Sequence, residues 1–123
     1  MPTTTRILIN DDSDIITARI QARKIARQVG FGTVDQARIS LAASELARLL
    51  IKFNIDVPAE ILISRTASHG HSGIEVVGIN PNIEDALQTT QDSALLGAIE
   101  LVDEYLVENS EQGIRVTLMK WLA

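Results

Sequence analysis

The chain has 123 residues, 46% of them hydrophobic, a net charge of −5 and no cysteine. That length suits one hydrophobic core, so a single domain over residues 1–123 is expected, and the lack of thiols excludes disulfides, thiolate nucleophiles and cysteine metal sites. No apolar run nears the ~20 residues a membrane-crossing helix needs, and the opening Met1-Pro2-Thr3-Thr4-Thr5-Arg6 carries no signal-peptide pattern, so a cytoplasmic protein with no membrane partner is expected.

Thr5 to Asn10 forms a short β-branched, apolar run that predicts a strand, and Asp11-Asp12-Ser13 supplies turn and helix-cap chemistry. Ile15, Ala18, Ala22, Ile25, Ala26 and Val29 then recur at helical spacing up to Gly30, a natural stop. The other side of this helix carries Arg19, Arg23, Lys24 and Arg27. A solvated face is the plain reading of such a basic row; a docking edge for an acidic protein is the sharper one.

Gly30-Phe31-Gly32 leads directly into Thr33 to Asn54, a long helix on which Ile39, Ala42, Ala43, Leu46, Leu50 and Phe53 form an apolar stripe. Thr33 and Gln36 have the spacing of a capping box. Glu45 is the one acid within the apolar part of this helix, and the residue one turn further on, on the same face, is Leu49.

Beyond Pro58, Glu60 to Thr66 and Ile74 to Ile79 predict the two arms of a hairpin around His69-Gly70-His71-Ser72-Gly73. Two histidines two residues apart invite a zinc reading, but a zinc site needs three or four convergent ligands, so an exposed loop tip is expected. Asn80-Pro81-Asn82 predicts a turn, Ile83 to Thr90 a short helix, Ser93 to Leu106 a longer one, Glu108 to Gly113 a polar turn, and Ile114 to Leu122 a half-buried strand. The order predicts an α+β fold, a mixed sheet with helices on one face.

Charge is unevenly spread. Residues 1–52 carry eight Lys or Arg against five Asp or Glu, and residues 53–123 carry three against eleven. An acidic chain is poorly suited to nucleic acid, whose binding draws largely on phosphate neutralisation. The stretch Ile25 to Phe31 followed by Thr33 has the outline of a helix-turn-helix, but the second helix would have to offer polar side chains to base edges and is instead long and apolar.

Ala22 to Ile39, with its Gly30-Phe31-Gly32-Thr33-Val34-Asp35-Gln36-Ala37-Arg38-Ile39 block, continuing into Ser44-Glu45-Leu46-Ala47-Arg48, closely resembles the RsbT type of anti-sigma-factor serine kinase. These kinases belong to the GHKL superfamily, whose ATP site is the Bergerat fold. The resemblance resumes at Gly73 to Val77, at Leu101 to Glu104 and at Val116 to Leu122, and so spans nearly the whole chain. It implies a two-layer α/β sandwich with a mixed, mostly antiparallel sheet.

The resemblance also implies a catalytic pattern from which this chain departs. In the family a helical Glu acts as base or polariser, and an Asn four residues later binds the magnesium that bridges the ATP phosphates. Here Glu45 fills the first position and Leu49, which offers no oxygen to a hard cation, the second. The family's Asp-x-Gly-x-Gly adenine motif corresponds to Gly78-Ile79-Asn80-Pro81-Asn82-Ile83, which leaves Asn80 at the adenine position without the Asp or the glycine pair. The glycine-rich phosphate lid corresponds to Gln91 to Ala98, with a single glycine. The implication is a degenerate member with a vestigial base, no cofactor and no metal, in which Glu45 pairs with Arg48. Such a pseudokinase keeps its scaffold for protein recognition, with Arg19, Arg23 and Arg27 as the expected partner surface. The partners the family implies are a STAS-domain protein, a sigma factor or a PP2C-type phosphatase, and the N-terminal strand offers an edge for a homodimer. The alternative is an active serine kinase that phosphorylates a STAS-domain antagonist through an unconventional site.

Overall fold

The computed structural model describes residues 4–53, 57–82 and 92–123. In chain order the elements are β1 (Thr4–Ile9), α1 (Asp12–Val29), α2 (Thr33–Lys52), β2 (Ala59–Ser68), β3 (His71–Asn80), α3 (Ser93–Ile99), β4 (Glu104–Ser110) and β5 (Gly113–Trp121). The strands form one sheet in the order β1-β2-β3-β5-β4. Each of its four pairings is antiparallel, so the expected mixed character resolves to a purely antiparallel sheet among the described residues. The helices pack against the sheet and against one another, which gives the two-layer α/β sandwich.

Alternation along the strands decides which face is covered. Ile7, Ile9, Ile61, Ile63, Ile74, Val76, Val116 and Leu118 point inward and are buried against Ala18, Ala22, Ala26, Ile39, Ala43, Leu46 and Leu50 of the two long helices. The small residues let α2 lie close to the sheet, and at Gly78 the approach is tight. A Cβ there would stand 3.0 Å from both Cγ and Cδ1 of Leu46, so glycine is what allows the α2 backbone and the β3 backbone to meet over a leucine.

Helix α1 starts and stops as its sequence indicates. Asp11 is the N-cap and accepts from the Ser13 amide, Asp14 returns the bond to the chain at Asp11, and Gly30 takes the left-handed C-cap. For α2 the expected Thr33–Gln36 capping box does not form. Gly32 is the N-cap and provides no side chain, and Gln36 instead turns back to donate to the Phe31 carbonyl at 2.8 Å. The three-residue connection is too short for Thr33 to stand outside the helix, so it becomes the first helical residue.

The hairpin is tighter than expected. Its strands run on to Ser68 and resume at His71, with a two-residue turn of His69 (φ 51) and Gly70 (φ 81), the positive pair that a type I′ turn requires.

The larger correction lies beyond α3. The helix expected to reach Leu106 ends at Ile99, and Glu104 to Ser110 form a strand that pairs with β5 from Glu104↔Met119 to Ser110↔Gly113. The helical spacing of Leu101, Val102 and Tyr105 is real, but β5 would otherwise expose an unpaired edge, and a ladder along it outweighs local propensity. The Asp103 carboxylate fastens the entry to this strand by accepting from the Trp121 amide at 2.8 Å. The polar turn therefore shrinks to the link at Glu111 and Gln112. β5, set between β3 and β4, is more enclosed than the half-buried strand expected of it: Thr117 and Lys120 are buried along with Ile114, Val116 and Leu118. The short helix expected over 83–90 lies outside the described residues.

Candidate functional site

The middle of α2 faces the C-terminal end of β3, and α3 packs against α2 beside them. Glu45 lies on this face with its side chain 31% exposed, and its Oε1 is 3.5 Å from Nε of Arg48, the ion pair one turn on that the sequence offers. One turn further along, Leu49 is 1% exposed and belongs to the main apolar cluster. A leucine in that position contributes burial and no ligand atom.

Asn80 ends β3 and is fully buried. Its Nδ2 donates to the Leu50 carbonyl at 2.9 Å and its Oδ1 accepts from the Asn82 amide at 2.8 Å. Both ends of the carboxamide therefore serve the chain itself, one tying β3 to the last turns of α2 and the other closing the turn. Asn82 extends the tie by donating from Nδ2 to the Val57 carbonyl at 2.9 Å.

The feature that sequence reasoning missed here is the anchoring of α3. Asp92 caps this helix by accepting from the Ala94 amide at 2.8 Å, and its other oxygen is 2.8 Å from Nζ of Lys52 at the end of α2. Burial pushes the Asp92 carboxyl up, but the hydrogen bond and charge of Lys52 together with the amide bonds outweigh it and hold the carboxyl below the ordinary carboxylate range. An Asp immediately before Ser93-Ala94 is a helix-start signal and was legible as one; its pairing with a lysine forty residues earlier was not. Leu95 and Ala98 of α3 are fully buried, and a Cβ on Gly97 would lie 4.0 Å from Cγ of Glu45. Helix α3 is thus seated against Glu45.

Cavities of about 650, 340 and 280 Å³ open elsewhere on the molecule, and none of the three is lined by Glu45, Leu49 or Asn80. His69 and His71 are exposed at the hairpin tip, where His69 Nδ1 lies 2.9 Å from Ser68 Oγ. Among the described residues no group of three His, Cys, Asp or Glu side chains could hold a metal ion.

The structure places Arg19, Arg23 and Arg27 in one row on α1, remote in sequence from Glu45 and without any ion pair among the described residues. Arg23 and Arg27 are exposed; Arg19 is half-buried, and its Nε is buried with no hydrogen-bond partner. Ile16 and Ile20 stand on the same helix at 55% and 58% exposure. By contrast Arg6, Arg48, Lys52, Arg115 and Lys120 all have acid partners.

No helix among the described residues is long and apolar enough to cross a membrane. No protein-family model matches the chain. It is 32% identical to the serine/threonine-protein kinase RsbT of Bacillus subtilis (strain 168) over an alignment that covers 94% of this chain and 95% of that protein. With that likeness running end to end, the chain belongs to the RsbT-type serine/threonine kinase family.

Proposed function

We propose that the protein is a non-catalytic member of its family, a regulatory protein-binding module of a cytoplasmic partner-switching system. The observation that carries this reading is Leu49, 1% exposed one turn beyond Glu45, where the family's magnesium-binding Asn belongs. Phosphoryl transfer rests on positioning and on charge neutralisation by metal and donors. A carboxylate next to a leucine has no clamped phosphate on which to act. The second support is Asn80, whose carboxamide is already committed to Leu50 and Asn82 and so has no free edge for an adenine.

Binding falls to α1. Arg19, Arg23 and Arg27, with Ile16 and Ile20 beside them on α1, combine guanidinium donors with apolar contact, the composition that favours the centre of a protein interface. An unpaired basic row on a chain of net charge −5 suits an acidic surface on a STAS-domain protein, a sigma factor or a PP2C-type phosphatase. β1, at one edge of the sheet, is the place where a second copy would pair.

Two titrations test this. Calorimetry with millimolar ATP and magnesium should give no binding heat, and a saturable isotherm would restore the kinase reading. Titration with the STAS, sigma-factor and phosphatase candidates should find one whose affinity falls at least about tenfold, or 1.4 kcal/mol, in an Arg23→Glu variant. Undiminished binding by that variant would remove α1 as the interface.

A further inference from the structure

The cavity of about 340 Å³ lies between α1 and the β1–β2 edge of the sheet, with Lys24 at its boundary with the Arg19–Arg27 row. Its polar lining comes from three elements: Thr5 on β1, Gln21, Lys24 and Gln28 on α1, and Arg65 on β2. The helical residues meet there because positions three and four apart share a stripe. Arg65 reaches the cavity because it follows Ile61 and Ile63 on the helix-facing side of β2, just beyond the part of the sheet that the apolar core covers.

The chemistry of this lining is one-sided. It contains an ammonium, a guanidinium, two carboxamides and a hydroxyl, and no carboxylate. Neither Lys24 nor Arg65 has an acid partner or a hydrogen bond among the described residues, in a chain where acids outnumber bases by sixteen to eleven. Two cations that line one cleft without an acid beside them repel, and an oxyanion between them relieves that repulsion while meeting the donors around it. The carbonyl end of α1 is nearby; the Gly30 and Phe31 amides cap its Ala26 and Arg27 carbonyls, and the two cations have to outweigh the partial negative charge that remains. Ile25 and Val29 add an apolar wall, and the volume falls at the lower end of small-molecule sites, which span about 300–1,000 Å³.

We infer that this cleft binds a small organic oxyanion, a molecule whose phosphate or carboxylate group sits between Lys24 and Arg65 and whose body rests on Ile25 and Val29. The cleft borders the proposed partner surface at Lys24 and is separate from the nucleotide question. The test is a two-dimensional amide NMR titration of the full chain with sodium phosphate and, separately, sodium acetate, with sodium chloride holding the ionic strength constant. Saturable shifts centred on Thr5, Gln28 and Arg65 are expected, with the dissociation constant raised at least tenfold in Lys24→Gln and in Arg65→Gln and unchanged in Arg38→Gln. Saturation by phosphate alone assigns a tetrahedral oxyanion, and saturation by both probes admits a carboxylate. Lys24 and Arg65 are exposed, so both variants should melt as the parent does. Shifts that do not saturate, that spread over the basic residues in general, or that persist unchanged in the two cleft variants would overturn the assignment.

Discussion

Leu49→Asn puts back the residue type that the family places at the metal position, and it separates a closed site from a dormant one. In the structure the Leu49 side chain is 1% exposed, so the substitution removes an almost fully buried leucine, worth about 1.5–3 kcal/mol relative to exposure. It also buries a carboxamide among apolar neighbours, at a further cost of about 1–3 kcal/mol by mutational measure. The expected destabilisation is about 3–5 kcal/mol, a large part of the roughly 5–15 kcal/mol that holds a domain together. With a urea dependence of about 2 kcal/mol per molar, the unfolding midpoint should drop by roughly 2 M, whereas Leu49→Met, which conserves volume, should cost less than about 1.5 kcal/mol. Calorimetry on the Asn variant should still find no ATP–magnesium binding, because Asn80 stays committed to the Leu50 carbonyl and α3 stays seated against Glu45. A loss below about 1 kcal/mol accompanied by nucleotide binding would refute the reasoning, for it would mean that water and ligand reach the site and that a single side chain had silenced it.

Two further outcomes follow from the same geometry. Gly78→Ala brings a methyl within 3.0 Å of two Leu46 carbons and should cost about 1–3 kcal/mol in urea unfolding, most of it recovered in the Gly78→Ala, Leu46→Ala double variant if the close contact is the cause. Asp92→Asn keeps a capping oxygen but removes the charge facing Lys52, with an expected loss of about 1 kcal/mol at neutral pH after allowance for the exposure of Lys52. Because the folded Asp92 carboxyl titrates below its ordinary value of 3.8, its contribution is complete above that value and is lost as the pH falls through the folded one. The gap between parent and variant should therefore close on acidification below 3.8, and an equal gap at neutral and acid pH would rule out the charge as its source.

The non-catalytic reading proposed above draws on several small features together: Leu49 offers no ligand oxygen, the Asn80 carboxamide is committed to the chain itself, and Asp92 ties the start of α3 to Lys52. Each is an ordinary stabilising interaction, of the kind a scaffold relieved of nucleotide binding would be free to accumulate.

Local chemistry settled much of the architecture in advance. Asp11 and Gly30 bound α1, the inward alternation of Ile61 and Ile63 fixes the register of β2, and the apolar stripe from Ile39 to Leu50 fixes the face α2 presents, because each depends on neighbours within a turn or a pleat. The Glu45–Arg48 pair was likewise readable from spacing alone. The tertiary structure alone decided matters that depend on distant partners. Residues 104–110 became a strand because β5 offered them an edge, Thr33 lost its cap to a short connection, and Asp92 found Lys52 across forty positions. Long-range ladders and buried ion pairs draw their free energy from groups brought together by the fold, and a reading confined to nearby residues cannot sum them.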